Sequence, residues 1–205
     1  MGQIKISELT PKEEPLSTTD LLIIAQETPD GFESRSITGR DIIDAIPAPE
    51  MNPTLLGFSG ITGTQTTSNV ITICHSVLIP ANTFSSNNIL QVIFRMFRQS
   101  GNLGQMYGRI YFNTANTLTG ATLFNTTFTM NGGSSQYLGY VERHFSYNGT
   151  NLTGYSNNAF SEYTTGAVVN VPFNATVDNY VLLTMQCQNL NDIANINLFK
   201  ILAYV

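Results

Sequence analysis

Val181-Leu-Leu-Thr-Met-Gln-Cys-Gln188 alternates strictly: Val181, Leu183, Met185 and Cys187 fall on one side of an extended chain, and Leu182, Thr184, Gln186 and Gln188 on the other. Only a strand, with its two-residue side-chain period, keeps such a set on one face. Upstream, Phe124, Phe128 and Met130 stand against Asn125, Thr127 and Thr129 in the same way. Further runs of this kind cover Val70–Ile79, Ile89–Gln99, Gln105–Phe112, Ala121–Met130, Gln136–Tyr147, Ala167–Phe173, Tyr180–Gln188 and Asn195–Tyr204, separated by Asn, Gly and Ser clusters. Short alternating runs at regular spacing predict a mainly β domain over residues 69–205, an antiparallel sandwich or barrel. No longer period repeats along them, which disfavours a propeller or solenoid.

The final run behaves differently. Ile196, Leu198, Leu202 and Tyr204 share one parity, while Phe199, Ile201, Ala203 and Val205 share the other. Both faces call for burial. Two readings fit: an internal strand of a single sandwich, or a strand that presents Phe199, Ile201, Ala203 and Val205 to a sister subunit.

Charged residues make up 11% of the 205 residues, against about 25% in an average soluble domain. Their distribution is uneven: ten acidic and four basic side chains lie in the first 50 residues, and four acidic and five basic in the remaining 155. The rear segment also holds all 21 Asn. Two differently composed pieces are joined. Scattered cations argue against direct nucleic-acid binding, which needs clustered Lys and Arg to release counterions. No apolar run approaches the roughly 18 residues of a membrane span. The leading residues lack the basic-then-apolar order of an export signal, and Ile6 stands where a myristoylation pattern requires Ser or Thr.

In the front piece, Asp20 is followed by Leu21, Leu22, Ile23, Ile24 and Ala25, then by Thr28-Pro29-Asp30-Gly31 and Phe32–Ile37. Pro presets φ and Gly accepts a positive one, so the stretch predicts a small hairpin. Thr38-Gly39-Arg40-Asp41 has the form of a helix start, with Ile42, Ile43 and Ile46 on one side and Pro47 as the stop. So short a piece buries little apolar surface by itself and needs something to fold against.

The order Lys5-Ile6-Ser7-Glu8-Leu9, a polar spacer, Thr19-Asp20 before Leu21–Ile24, a turn and a closing helix led by Thr38 resembles the N-terminal module of many bacteriophage virion appendage proteins, tail and head fibres among them. The resemblance covers residues 3–46 and implies an anchor on the particle, with Ile4, Ile6, Leu9, Leu22, Ile23, Ile24, Ile42 and Ile43 against a capsid, portal or tail protein. Residues 47–68, rich in Pro and Gly, then read as a linker. In the rear piece, Leu78-Ile79-Pro80-Ala81-Asn82-Thr83, Ile89–Arg98 and Asp178-Asn179-Tyr180-Val181 are similar to strand edges in the jelly-roll heads of phage fibres. That likeness implies a jelly-roll-like domain and a homotrimer, a virion location, and synthesis in the host cytoplasm.

Catalytic chemistry finds little support in the residues, and the expectation is a protein without enzymatic activity, cofactor or metal. The two His and two Cys show no metal-ligand spacing. His75 shares the parity of Ile71, Ile73 and Val77 and reads as a core or interface residue, while His144 falls on a wet face with Glu142 and Ser146. Cys187 lies on the apolar side of its run, whereas catalytic thiols need an electropositive, exposed setting. Cys74 and Cys187 are compatible with a disulfide or with two free thiols. Glu142, Glu162, Asp178 and Asp192 are too dispersed for sequence to pair two of them for glycoside hydrolysis.

Tyrosines supply the remaining candidate. Tyr107 and Tyr111 sit opposite the core parity of their run, and Tyr137 and Tyr140 begin a Tyr-, Gly- and Asn-rich stretch continuing to Tyr147, Tyr155 and Tyr163. A flat amphipathic ring beside adaptable amides suits a host glycan or a protein receptor. Tyr is also a favoured strand residue and suits a subunit seam. The residues therefore point first to a particle-anchored structural fibre, with a carbohydrate- or receptor-binding module as the alternative and a small depolymerase behind it.

Overall fold

The computed structural model describes residues 21–28, 31–38, 53–67, 69–101, 104–124, 126–132, 138–157 and 166–205. The chain divides into two compact units, Met1–Glu50 and Met51–Val205. In the first, β1 (Leu21–Thr28) pairs antiparallel with β2 (Gly31–Thr38), from Leu21 opposite Thr38 to Thr28 opposite Gly31. This is the expected hairpin, and it carries Leu22, Ile23 and Ile24 on β1. Ile4, Ile6, Leu9, Ile42, Ile43 and the helix expected after Thr38 lie outside the described residues.

The second unit contains β3 (Pro53–Ser59), β4 (Thr72–Ile79), β5 (Ile89–Ser100), β6 (Met106–Asn113), β7 (Thr122–Leu123) and β8 (Phe128–Met130). These are followed by β9 (Leu138–Tyr147), β10 (Asn151–Ser156), β11 (Ala167–Pro172), β12 (Asn179–Cys187) and β13 (Ile193–Tyr204). A six-stranded sheet runs β11-β10-β9-β5-β13-β3 and a five-stranded one β4-β12-β6-β7, with β8 also on β6. Every ladder is antiparallel. Stripped of the β10–β11 hairpin at one edge, the orders β3-β13-β5-β9 and β4-β12-β6-β7/β8 are those of a jelly roll, two Greek keys folded into facing sheets. The fold is a mainly β antiparallel sandwich, with no helix among the described residues.

The alternation read from sequence decides which side chains meet between the sheets. Val181, Leu183, Met185 and Cys187 of β12 face Leu90, Val92, Phe94 and Met96 of β5 across one apolar core. At its centre the Phe145 ring stands edge-on to Phe112 at 5.3 Å and Phe124 at 4.6 Å, the arrangement ring quadrupoles favour. Two of the unit's five cations are also interior. Arg143 lies 4.6 Å over the Phe128 ring and donates to the Asn157 side chain at 3.0 Å. Arg98 meets the buried Asp192 at 3.4 Å and donates to the Gly104 and Asn131 carbonyls, tying three loops together.

Four expectations need correction. Residues 47–68 are not simply a linker, because Pro53–Ser59 forms the edge strand β3, paired to β13 from Tyr204 to Phe199. The Pro and Gly that read as linker have strand reasons. Pro53 opens an edge strand, where a missing N–H costs little, and a Cβ on Gly57 would come within 2.9 Å of Val77 Cγ1. The β domain therefore begins at residue 51 rather than 69. Next, Ala121–Met130 is not one strand, being interrupted between β7 and β8. β10 was not anticipated, since Gly154 weakens its pattern; in place that glycine lies against Phe124 and Phe145.

The fourth correction concerns β13. Its register shifts between Ile196 and Leu198, leaving Asn197 without a ladder partner on β5. A bulge of this kind reverses which parity points inward. Ala194 and Ile196 face the core before it, and Phe199, Ile201 and Ala203 after it. The two apolar parities are thus largely one inward face read across a bulge. Phe199, Ile201 and Ala203, at 7%, 0% and 0% exposure, are occupied within the sandwich and offer nothing to a sister subunit. Val205 alone of that group is exposed.

Candidate functional site

The outer face of the six-stranded sheet can be written row by row from its registers. One row runs Val168, Tyr155, His144, Gln91, Leu202, Leu55: Tyr155 is opposite Val168, Gln91 lies between His144 and Leu202, and Leu202 is opposite Leu55. Tyr155 and His144 share the lining of a groove of about 190 Å³ with Ser146 and Thr153. The next row runs Glu142, Ile93, Lys200, Phe58, and beyond it Tyr140 faces Arg95, while Phe97 faces Leu138.

Six large apolar or aromatic side chains of this face are exposed: Leu55, Phe58, Leu138, Tyr140, Tyr155 and Val168. Leu55, Phe58, Leu198 and the Lys200 stem bound an apolar hollow of about 440 Å³ beside the β3 edge. Down the middle runs a hydrogen-bonded line. The Tyr204 hydroxyl donates to Gln91 Oε1 at 3.0 Å, Gln91 Nε2 donates to Glu142 Oε1 at 2.6 Å, and His144 Nε2 lies 3.7 Å from the same carboxylate. Lys200 is exposed and has no ion-pair partner among the described residues. One strand separates it from Glu142, a gap of about 10 Å at ordinary strand spacing.

The tyrosine candidates do not converge. Tyr140 belongs to the face just described, whereas Tyr107 and Tyr111 point outward from the opposite sheet, where β6 buries Met106, Ile110 and Phe112. Tyr107 donates its hydroxyl to Gln105 Oε1 at 2.8 Å and lies under Arg109 at 5.6 Å. Tyr137 and Tyr163 lie outside the described residues. Tyr147 is buried, its hydroxyl on the Gly149 carbonyl at 2.7 Å.

Cys74 and Cys187 are free thiols. Desolvation pushes Cys74 up to about 12 and Cys187 up to about 11, the latter helped by the nearby Asp192 carboxylate. Neither is a nucleophile at neutral pH. His75 is half-buried, on the core side of β4 with Val77, although a register shift at Cys74 places Ile73 opposite the outward Thr184: its ring lies 4.6 Å from Phe199 and its Nε2 2.9 Å from the Ile196 carbonyl oxygen. Burial lowers its pKa, partly offset by that bond. No group of three or more metal-ligating side chains occurs among the described residues. The described carboxylates are dispersed: Glu142 on the outer face, Asp178 on the Ala81 N–H, and Asp192 in the buried network. Glu162 lies outside the described residues.

The fold and this face define a class, an antiparallel β-sandwich with one apolar outer sheet surface. No protein-family profile matches the chain, and no curated protein is similar to it in sequence.

Proposed function

We propose that the chain is a non-enzymatic structural component of a phage virion, a homotrimeric fibre held to the particle by its N-terminal unit. The six-stranded sheet of its β-sandwich faces sister copies. The observation that carries this reading is the outer face, where Leu55 and Phe58 on one flank of the polar line and Leu138, Tyr140, Tyr155 and Val168 on the other are exposed. Exposed apolar side chains rimmed by polar ones are the usual mark of a contact surface. Charge supports a second copy as its cover, because Lys200, which has no ion-pair partner among the described residues, and the Glu142 carboxylate of another copy can meet across a rotation axis. Resemblance of residues 3–46 to fibre anchoring modules supports attachment through Ile4, Ile6, Leu9, Ile42 and Ile43.

Light scattering of the full chain and of residues 51–205 tests both halves of the proposal. Both should give about three times the chain mass, since the seam belongs to the second unit. A monomeric 51–205 fragment overturns the seam. Ile42→Asp combined with Ile43→Asp should leave the oligomer intact and abolish incorporation into particles; a variant still incorporated overturns the anchor.

A further inference from the structure

At one end of the sandwich, the loops after β6, between β9 and β10 and between β11 and β12 meet β7 around a cleft of about 470 Å³. Its polar rim is formed by Asn113, Thr114, Thr122, Thr150, Asn174 and Asn179; Pro172 supplies exposed apolar surface, and the buried Phe112 and Phe173 close its floor. None of its lining residues is charged.

The amides are held in place by the chain itself. Asn113 Nδ2 donates to the Thr117 and Thr119 carbonyls at 2.7 and 3.1 Å, and its Oδ1 accepts from the Thr114 N–H at 2.9 Å. Asn179, 4% exposed, donates from Nδ2 to the Asn174 and Val177 carbonyls, both at 2.8 Å. Asn174 Oδ1 accepts from the Thr176 N–H and hydroxyl at 3.0 and 2.8 Å. These bonds leave an acceptor, Asn179 Oδ1, and a donor, Asn174 Nδ2, without a partner among the described residues. The Thr114 and Thr122 hydroxyls add groups that both donate and accept.

Fixed, neutral donors and acceptors beside the exposed Pro172 ring match a ligand whose hydroxyls both give and take hydrogen bonds and whose ring has an apolar face. An anion would find no cation here, and a purely apolar ligand would strand the amides. We propose that this cleft binds a neutral saccharide unit. The proposal does not rest on the fibre reading, and the cleft is distinct from the tyrosine face.

Saturation-transfer NMR of the full chain against neutral mono- and disaccharides of glucose, galactose, mannose and their N-acetylamino forms tests it. At least one should bind. Thr122→Trp fills the cleft from an exposed position, and Asn174→Asp keeps the turn-forming oxygen while removing the donor and adding a charge. Each should weaken that sugar by about tenfold or more, with an unchanged circular dichroism spectrum and melting temperature. No transfer to any sugar at millimolar concentration overturns the proposal, as does binding unchanged in both variants or abolished instead by Tyr155→Ala. Tighter binding of sialic acid or a phosphosugar overturns the neutral class.

Discussion

The two sheets of the sandwich are alike inside and unlike outside. On the five-stranded sheet, outward side chains are largely engaged with one another: Arg109 covers the Tyr107 ring and donates to Thr127 Oγ1 at 3.2 Å, and the Thr184 hydroxyl donates to the Arg109 carbonyl at 3.4 Å, while Leu78 is the large apolar group left exposed among its described residues. Even Leu182 on that side is fully buried. The six-stranded sheet has a polar line through Tyr204, Gln91 and Glu142 but leaves apolar groups bare on both flanks. A strand needs only one apolar face to fold. The second apolar face on β3, β9, β10 and β11 is therefore surplus to folding and available for contact with another molecule.

The largest test of this asymmetry introduces charge on each side. Leu55→Asp with Phe58→Asp should reduce the scattering mass from that of the proposed trimer to a single chain without lowering secondary structure, because two carboxylates would be desolvated at the proposed seam. Thr129→Asp with Gln186→Asp, flanking Tyr107 on the other sheet, should leave the mass unchanged. Equal dissociation by both pairs would erase the distinction between the faces.

A smaller effect probes how β3, which carries two of the exposed residues, is joined to the sandwich. Gly57→Ala places a methyl 2.9 Å from Val77 Cγ1 and 3.4 Å from the Phe199 ring. Overpacking of this kind costs about 1–3 kcal/mol, which should appear as a lower melting temperature and faster amide exchange across Pro53–Ser59. No change in either would mean that β3 is held loosely, as a linker would be.

That strand also marks the limit of what sequence could reveal. Alternation placed Phe124, Phe128, Met130 and the β12 set inward correctly, because burial between two sheets leaves a direct period-two record. Where a glycine is required by a neighbour distant in sequence, as at Gly57 under Val77 or Gly154 against Phe124, the local pattern reads as a break. The β13 bulge hides in the same manner: Asn197 inserts one residue, and its side-chain oxygen accepts from Arg95 Nε at 2.8 Å, a partner fixed only by pairing. Tyr107, Tyr111, Tyr140 and Tyr155 do face outward while Tyr147 is buried, and the division of the outward ones between opposite sheets depends on strand order. The cleft at the loop end was illegible, since its lining converges from three separate connections.

The smallest effect concerns His75, which lies where the segment leading from β3 passes beside β4: Thr64 donates its N–H to the Cys74 carbonyl at 3.2 Å. In the folded chain burial holds His75 below its ordinary value of 6.5, so the ring stays neutral and Nε2 donates to the Ile196 carbonyl. The unfolded chain takes up this proton at the ordinary value. Below it the unfolded state binds more protons, and stability declines as pH falls through that value, levelling once the folded pKa is passed. Half-burial keeps the contribution modest, a loss of about one or two degrees of melting temperature between about pH 7.5 and pH 5. His75→Phe should remove this component of the pH dependence, whereas His144→Gln on the exposed face should leave it in place. The reverse pattern would mean that the β3 junction is not the acid-sensitive part of the sandwich.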